Sequence, residues 1–203
     1  METWNAITSR RNVRDNSDEP LPAADLDRIL EAARRAPSAV NSQWWDLVVV
    51  TDRAELEALA KVWGGAGHVA RSQATVAVIA PPGADDKQRE MIQYDLGQMT
   101  IQRMIAAADL GIGTGHAAVQ DQDLARRLLG LPDDRICAWL VAMGYPAQGP
   151  LRPIENMKRR DFDDVVHRGR RQELGRPPAD DATIRAPLAK QSPMTRNLYS
   201  HLA

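Results

Sequence analysis

Apolar residues recur along the chain at two spacings, and the spacing separates helices from strands. Leu26, Ile29, Leu30 and Ala33 stand at i, i+3, i+4 and i+7 within LPAADLDRILEAARRAP, which predicts an amphipathic helix ended by Pro37. Asp52 and Glu55 open a second helix, carrying Leu56, Leu59 and Val62, in a capping-box-like arrangement. Asp121 caps a third, with Leu124, Leu128 and Leu129, closed by Gly130 and Pro132. Shorter helical segments are expected at Glu2 to Ser9 and Phe162 to Val166. Runs rich in β-formers at Leu47 to Thr51, Ala74 to Ala80 and Ile136 to Met143 predict three strands.

The stretch from Gln93 to His116 is different. Met99, Ile101, Met104, Ile105, Ala108 and Ile112 spread over a broad apolar surface, and Gly97 with Ala106 to Ala108 leaves little bulk. A helix apolar over more than a narrow stripe is expected between layers rather than on a surface. It runs into Gly111-Ile112-Gly113-Thr114-Gly115, which predicts a stripped glycine loop with uncovered backbone N–H groups. An ordinary core helix with a glycine cap satisfies the same pattern.

Strands and helices interleave without regular βαβ spacing, so the expected class is α+β, with a central sheet flanked by helices. Glycines at Gly64–Gly67 and Gly111–Gly115 follow helices rather than strands, the reverse of the dinucleotide fingerprint, so no Rossmann site is expected. A length of 203 residues fits one domain with a substantial core. A net charge of −1 argues against a general polyanion surface, and nucleic acid is not an expected partner. The single cysteine, Cys137, excludes an intrachain disulfide and a cysteine-rich metal site; within ICAWLVAM it reads as a buried, inert thiol. No apolar run reaches membrane-span length and no signal peptide is evident, so the cytoplasm is the expected compartment.

Candidate chemistry is concentrated in a few polar clusters. Arg10, Arg11 and Arg14 put three guanidiniums into five residues, with Asn12 among them, a donor set suited to phosphate oxygens. A solvated basic turn, neutralised by Asp15, Asp18 and Glu19, is the alternative. The loop Pro37-Ser38-Ala39-Val40-Asn41-Ser42-Gln43-Trp44-Trp45 carries amide groups that could address the edge of a planar heterocycle, or merely satisfy loop backbone. Lys158-Arg159-Arg160 is a second basic cluster.

Taken in order, SRRNVRDN, AARRAPSAVNSQWW, YDLGQMTIQRMIAAADLGIGTGHAAV, RRLLGLPDD, AWLVAMGYPA and KRRDFDDVVHRGR resemble the FMN-dependent nitroreductase family from Ile7 to Arg170. The resemblance implies a nitroreductase-like α/β sandwich around an antiparallel or mixed sheet, forming a homodimer with the long helix at the interface. One FMN would lie in each of two clefts lined by both subunits. It places Arg10, Arg11 and Asn12 on the FMN phosphate and Arg14 near the pyrimidine end. Pro37, Ser38, Asn41 and Gln43 match the loop along the isoalloxazine and ribityl chain. His116, Ala118 and Val119 match the segment whose backbone N–H reaches flavin N5, His68 matches a further polar contact, and Lys158 and Arg160 return to the phosphate. Asn12 stands where the family often has Ser, and Trp44 where it often has Pro.

The implied activity is hydride transfer from NADH or NADPH through flavin N5 to a small-molecule acceptor such as a nitroaromatic or quinone, with no catalytic protein side chain and no metal. Alternatives are a specialised branch (a dehalogenase, a flavin-fragmenting enzyme or a natural-product dehydrogenase) and a flavin-sequestering protein without turnover. Residues 1–170 are expected to form the FMN-binding domain. Residues 171–203, which lack sustained periodicity and contain several prolines, are expected to form an arm or a partly disordered extension.

Overall fold

A computed structural model describes residues 1–171. The expected extension, from residue 172 to 203, lies outside the described residues. The described chain divides into one unit at Met1–Glu155 and a second beginning at Asn156.

In the first unit the elements run α1 (Thr3–Ser9), α2 (Ala23–Arg34), β1 (Asp46–Val50), α3 (Arg53–Leu59), β2 (Ala74–Ala80), α4 (Asp86–Asp109), β3 (Gly113–Ala117), α5 (Gln122–Leu129) and β4 (Ile136–Gly144). The second unit holds a short helix, α6 (Phe162–Val165). The four strands form an antiparallel sheet in the order β1-β2-β4-β3, as the α+β expectation requires.

Strand β2 is buried along its whole length, which explains why its sequence, ATVAVIA, reads as a continuous apolar run. Its residues alternate between two layers. Ala74, Val76, Val78 and Ala80 pack towards Ile29 and Ala33 of α2 and Ile92, Leu96, Met99 and Ala107 of α4. Ala77 and Ile79 face Leu56 and Leu59 of α3 and Ala125 of α5. The sheet is therefore covered on both faces. Helix starts follow the sequence signals: the Asp52, Asp85 and Asp121 carboxylates accept from the backbone N–H groups of Glu55, Gln88 and Leu124 at 2.8–3.0 Å.

Two expectations need correction. The glycine run is not a bare loop: Gly111 turns the chain with φ +77°, and Gly113–Ala117 then pairs with β4 as an edge strand. Its backbone pairs with β4 on one side, and on the other the Thr114 carbonyl accepts from the Val13 N–H. The second correction concerns Ile101, expected on the buried apolar surface of the long helix. It is 42% exposed, and with Gln93, Tyr94 and Gly97 it forms the helix's open face, while Met99, Met104 and Ala108 are buried. The apolar residues thus lie on both the core side and the outer side of α4.

Candidate functional site

The arginine motif leaves α1 as an extended segment and docks beside β3. Asn12 bridges Thr114 in parallel fashion, and the Val13 N–H donates to the Thr114 carbonyl at 2.8 Å. This contact accounts for two of the glycines. A Cβ at Gly113 would meet the Val13 side chain at 2.6 Å, and one at Gly115 would collide with the Val13 carbonyl oxygen and press on the His68 ring. Glycine is required here for close backbone approach rather than for left-handed φ.

Around that junction the structure gathers Arg10, Asn12, Arg14, His68 and His116. A ring nitrogen of His68, which is buried, lies 3.4 Å from the Gly115 carbonyl. Burial is the main force that lowers the His68 pKa, opposed by the contact with Gly115 and reinforced by the Arg14 charge. His116 is pushed down to about 4, first by burial and then by the charges of Arg103 and Arg10. Both imidazoles are neutral at pH 7, leaving the guanidiniums as the fixed positive charges. Among the described residues Arg10, Arg11 and Arg14 form no ion pair: Asp15 is directed instead towards Arg71, at 4.0 Å. Arg11 reaches only the Ser9 carbonyl, at 3.5 Å.

The loop after α2 is held at a different point of α4. Asp95 is fully buried, and both its carboxylate oxygens accept from the Ala39 N–H, at 3.0 and 3.2 Å. The Ser38 hydroxyl accepts from the Gln43 N–H at 2.9 Å, and the Ser42 hydroxyl donates to the Ala39 carbonyl at 2.6 Å. Between these ties Val40, Asn41 and Gln43 adopt left-handed backbone, with φ of 47°, 59° and 48°. Three such non-glycine residues in one loop mark stored strain of the kind that clusters at ligand sites. Pro37, Asn41 and Gln43 are exposed and Ser38 is half-buried. Gln43 also makes a local bond, its Nε2 donating to the Asn41 carbonyl at 3.3 Å. It lines a cavity with Glu31, Arg34 and Trp45, separate from the one that Arg10 and His116 line.

Ala118 and Val119 follow β3; both are half-buried, and Val119 packs on the core beneath α5. Lys158 and Arg160 belong to the second unit, where Arg160 donates to the Asp164 carbonyl at 2.6 Å. No group of histidine, cysteine and carboxylate side chains among the described residues could hold a metal ion. No described helix is long and apolar enough to cross a membrane.

A model of the nitroreductase family matches residues 7–78. A protein of Archaeoglobus fulgidus with the provisional name NADH dehydrogenase/NAD(P)H nitroreductase is 32% identical over 149 residues, covering 71% of this chain and 86% of its own. This chain belongs to the nitroreductase family. An NADH dehydrogenase of Thermus thermophilus is 30% identical over 186 residues, covering 73% of this chain and 88% of its own. The solved structure of an FMN-dependent nitroreductase from Clostridium difficile superposes with a TM-score of 0.67 over 81% of this chain and 98% of that one, at 21% identity. That last likeness fixes the fold, and membership places the chain among oxidoreductases.

Three residues escaped the sequence reading: Asp95, Thr100 and Arg103, all buried on α4. Asp95 and Arg103 flank Met99 at four-residue spacing, so two charged side chains sit on an otherwise apolar helix face. A charge on a core face is the signal that could have found them.

Proposed function

We propose that this chain is an FMN-dependent NAD(P)H oxidoreductase whose acceptor is a nitroaromatic, quinone or related electrophile. When bound, FMN supplies the redox chemistry, taking a hydride at N5 from the reduced nicotinamide and passing electrons to the acceptor in a ping-pong cycle. The observation that carries this reading is the set of guanidiniums on Arg10, Arg11 and Arg14, free of carboxylate partners among the described residues and fastened through Asn12 and Val13 to β3. A nearly neutral chain that clusters three such cations is suited to a phosphorylated ligand.

The remaining residues fit the same ligand. Arg10, Arg11 and Asn12 would hold the phosphate; Arg14 would favour negative charge at the pyrimidine end. Pro37, Ser38, Asn41 and Gln43 would lie along the ring and ribityl chain, in a loop already held in a strained conformation. His68 would add a polar contact, and the backbone of His116, Ala118 and Val119 would address the ring edge. A neutral imidazole at His116, held down to about 4, adds no charge to the site at neutral pH. Residues 1–170 form the flavin-binding unit in this reading, and 171–203 an extension it does not need.

A homodimer completes the cleft. Trp4 and Ile7 on α1 and Tyr94 and Ile101 on α4 leave apolar side chains 42–70% exposed, a surface suited to a second copy. Pairing through α4 would let one protomer's loop at Ser38–Gln43 meet its partner's arginine motif.

Anaerobic stopped-flow mixing of flavin-loaded protein with NADH and with NADPH tests the assignment. The flavin absorbance is expected to bleach with at least one nucleotide and to recover on adding an electron acceptor. A bound flavin that neither nucleotide bleaches would establish a sequestering protein instead.

A further inference from the structure

Helix α4 holds a glycine that its own chain does not require. Gly97 lies in the middle of Asp86–Asp109, exposed and without a positive φ. A Cβ built there would meet nothing within 4 Å. Glycine inside a helix costs stability against alanine, and neither backbone conformation nor packing within the chain accounts for it here. Its remaining use is to let another body come close to the helix backbone. The face around it is open and uncharged: Gln93, Tyr94 and Ile101 are exposed, whereas the Asp95 carboxylate is buried and bonded to the Ala39 N–H.

A groove of about 350 Å³ runs along this face, lined by Gly97, Thr100, Ile101 and Met104 of α4 together with Arg10 and Trp139. Thr100 is 6% exposed, and its hydroxyl has no hydrogen-bond partner among the described residues. Threonine has two rotamers open to it in a helix, so this hydroxyl can turn towards the groove. A buried polar group left unpaired is costly. The groove therefore suits a side chain with an apolar body and a polar tip. Helix geometry supplies one from a second copy. When two copies of a helix cross antiparallel about a two-fold axis, the residue n positions before the axis faces the residue n positions after it in the other copy. With the axis at Gly97, Tyr94 faces the partner's Thr100 and Gln93 faces the partner's Ile101. The two glycines meet at the crossing, and no exposed charge between Gln93 and Ile101 opposes another.

We propose that α4 pairs with α4 of a second copy about a two-fold axis at Gly97, and that the partner's Tyr94 enters the groove and bonds the Thr100 hydroxyl. Each groove is then closed by a side chain from the other copy. Because Arg10 lines the same groove, the exchanged tyrosine becomes a wall of the space beside the arginine motif. The inference rests on the homodimer reading for the existence of the pair, and adds its centre, its register and the residue exchanged.

Disulfide trapping tests the register. Tyr94→Cys and Thr100→Cys are made singly and together in the full-length chain, where the native Cys137 is buried. A disulfide needs Cα atoms within about 7 Å, and positions six apart on one helix are separated by about 9 Å, so the pair cannot close within a chain. Mild oxidation is expected to give a disulfide-linked dimer on non-reducing gels from the double variant and little from either single one. Sedimentation of the wild type reports the dimer itself. A dimer whose double variant does not cross-link, or whose single variants cross-link as readily, refutes the register and leaves the dimer standing; a monomeric wild type refutes both. Gly97→Leu gives a second measurement, since leucine is the better helix former and its Cβ has open space in its own chain. Far-UV circular dichroism should be unchanged while the dimer dissociation constant rises about tenfold or more. Association as tight as that of the wild type would overturn the crossing at Gly97.

Discussion

Replacing Asp95 by Ala isolates the device that holds the loop between Pro37 and Trp45. The Asp95 carboxylate accepts the Ala39 N–H with both oxygens and receives Gln98 Nε2 at 3.3 Å, all at a fully buried position. A charge-assisted bond of this kind contributes about 1.5–3 kcal/mol. Against it stand the left-handed conformations of Val40, Asn41 and Gln43, each of which costs roughly 1–2 kcal/mol. Summed over the three residues the strain, roughly 3–6 kcal/mol, is at least as large as the anchor, so removing the anchor lets the loop relax while the sheet and its covering helices stay folded. An opening free energy reduced by about 2 kcal/mol corresponds to roughly 30-fold faster exchange. Native-state hydrogen exchange should show this at the Ser42 and Gln43 amides, which now donate to Ala39 and Ser38. Global stability in urea should fall by no more than about 1–2 kcal/mol, because the relaxing loop recovers strain. Asp95→Asn, which keeps an acceptor oxygen, should lie between. Exchange at those amides unchanged within twofold would show that Asp95 does not anchor the loop, and the strain argument would fail with it.

Two further outcomes follow from buried titratable groups. His116 has a folded pKa near 4 against an ordinary 6.5, so the unfolded chain takes up its proton first as pH falls. Its contribution is complete above about 6.5 and is lost between there and about 4; the full drop corresponds to ~3 kcal/mol, and partial exposure reduces it to about 1–2 kcal/mol. The stability–pH curve of the apoprotein should therefore be steeper across that window than that of His116→Asn, and superimposable slopes would contradict the assignment. Cys137 lies in the core with its thiol pushed up to about 12 by burial, so iodoacetamide at pH 8 should modify it only after unfolding. Mass spectrometry of native protein showing stoichiometric alkylation within minutes would disprove its inertness.

The sequence revealed more of the scaffold than of the site. Helices α2, α3 and α5 follow from apolar spacing, with aspartate caps on α3 and α5, although α2 and α3 stop about three residues short of their expected ends; β1, β2 and β4 follow from runs of β-formers within about one residue of the observed bounds. Strand β3 was not recognisable because Gly113-Thr114-Gly115-His116-Ala117 has neither alternation nor β-branched density. Its strand identity comes from pairing with β4, and its glycines answer to Val13 rather than to a turn. Arg10, Asn12, His68 and His116 are scattered in sequence and adjacent in space, a proximity that no local spacing announces. The conformation of the loop after α2 could not be read, since Val40, Asn41 and Gln43 are not residues that announce left-handed backbone. Asp95 and Arg103 were hidden by the helix they occupy: periodicity assigns polar residues to the outer face, and here tertiary contacts bury them.

The proposed function stands or falls on whether the arginine motif beside β3 holds the phosphate of one riboflavin phosphate. Its most direct test is the flavin content of freshly purified chain, measured by absorbance of the supernatant after heat release and by quenching of added FMN fluorescence. The expected result is about one FMN per chain in the wild type, and largely flavin-free protein when Arg10→Ala and Arg11→Ala are combined. Colourless wild-type protein that leaves FMN fluorescence unquenched, or a double variant that keeps its full complement after dialysis, would contradict it.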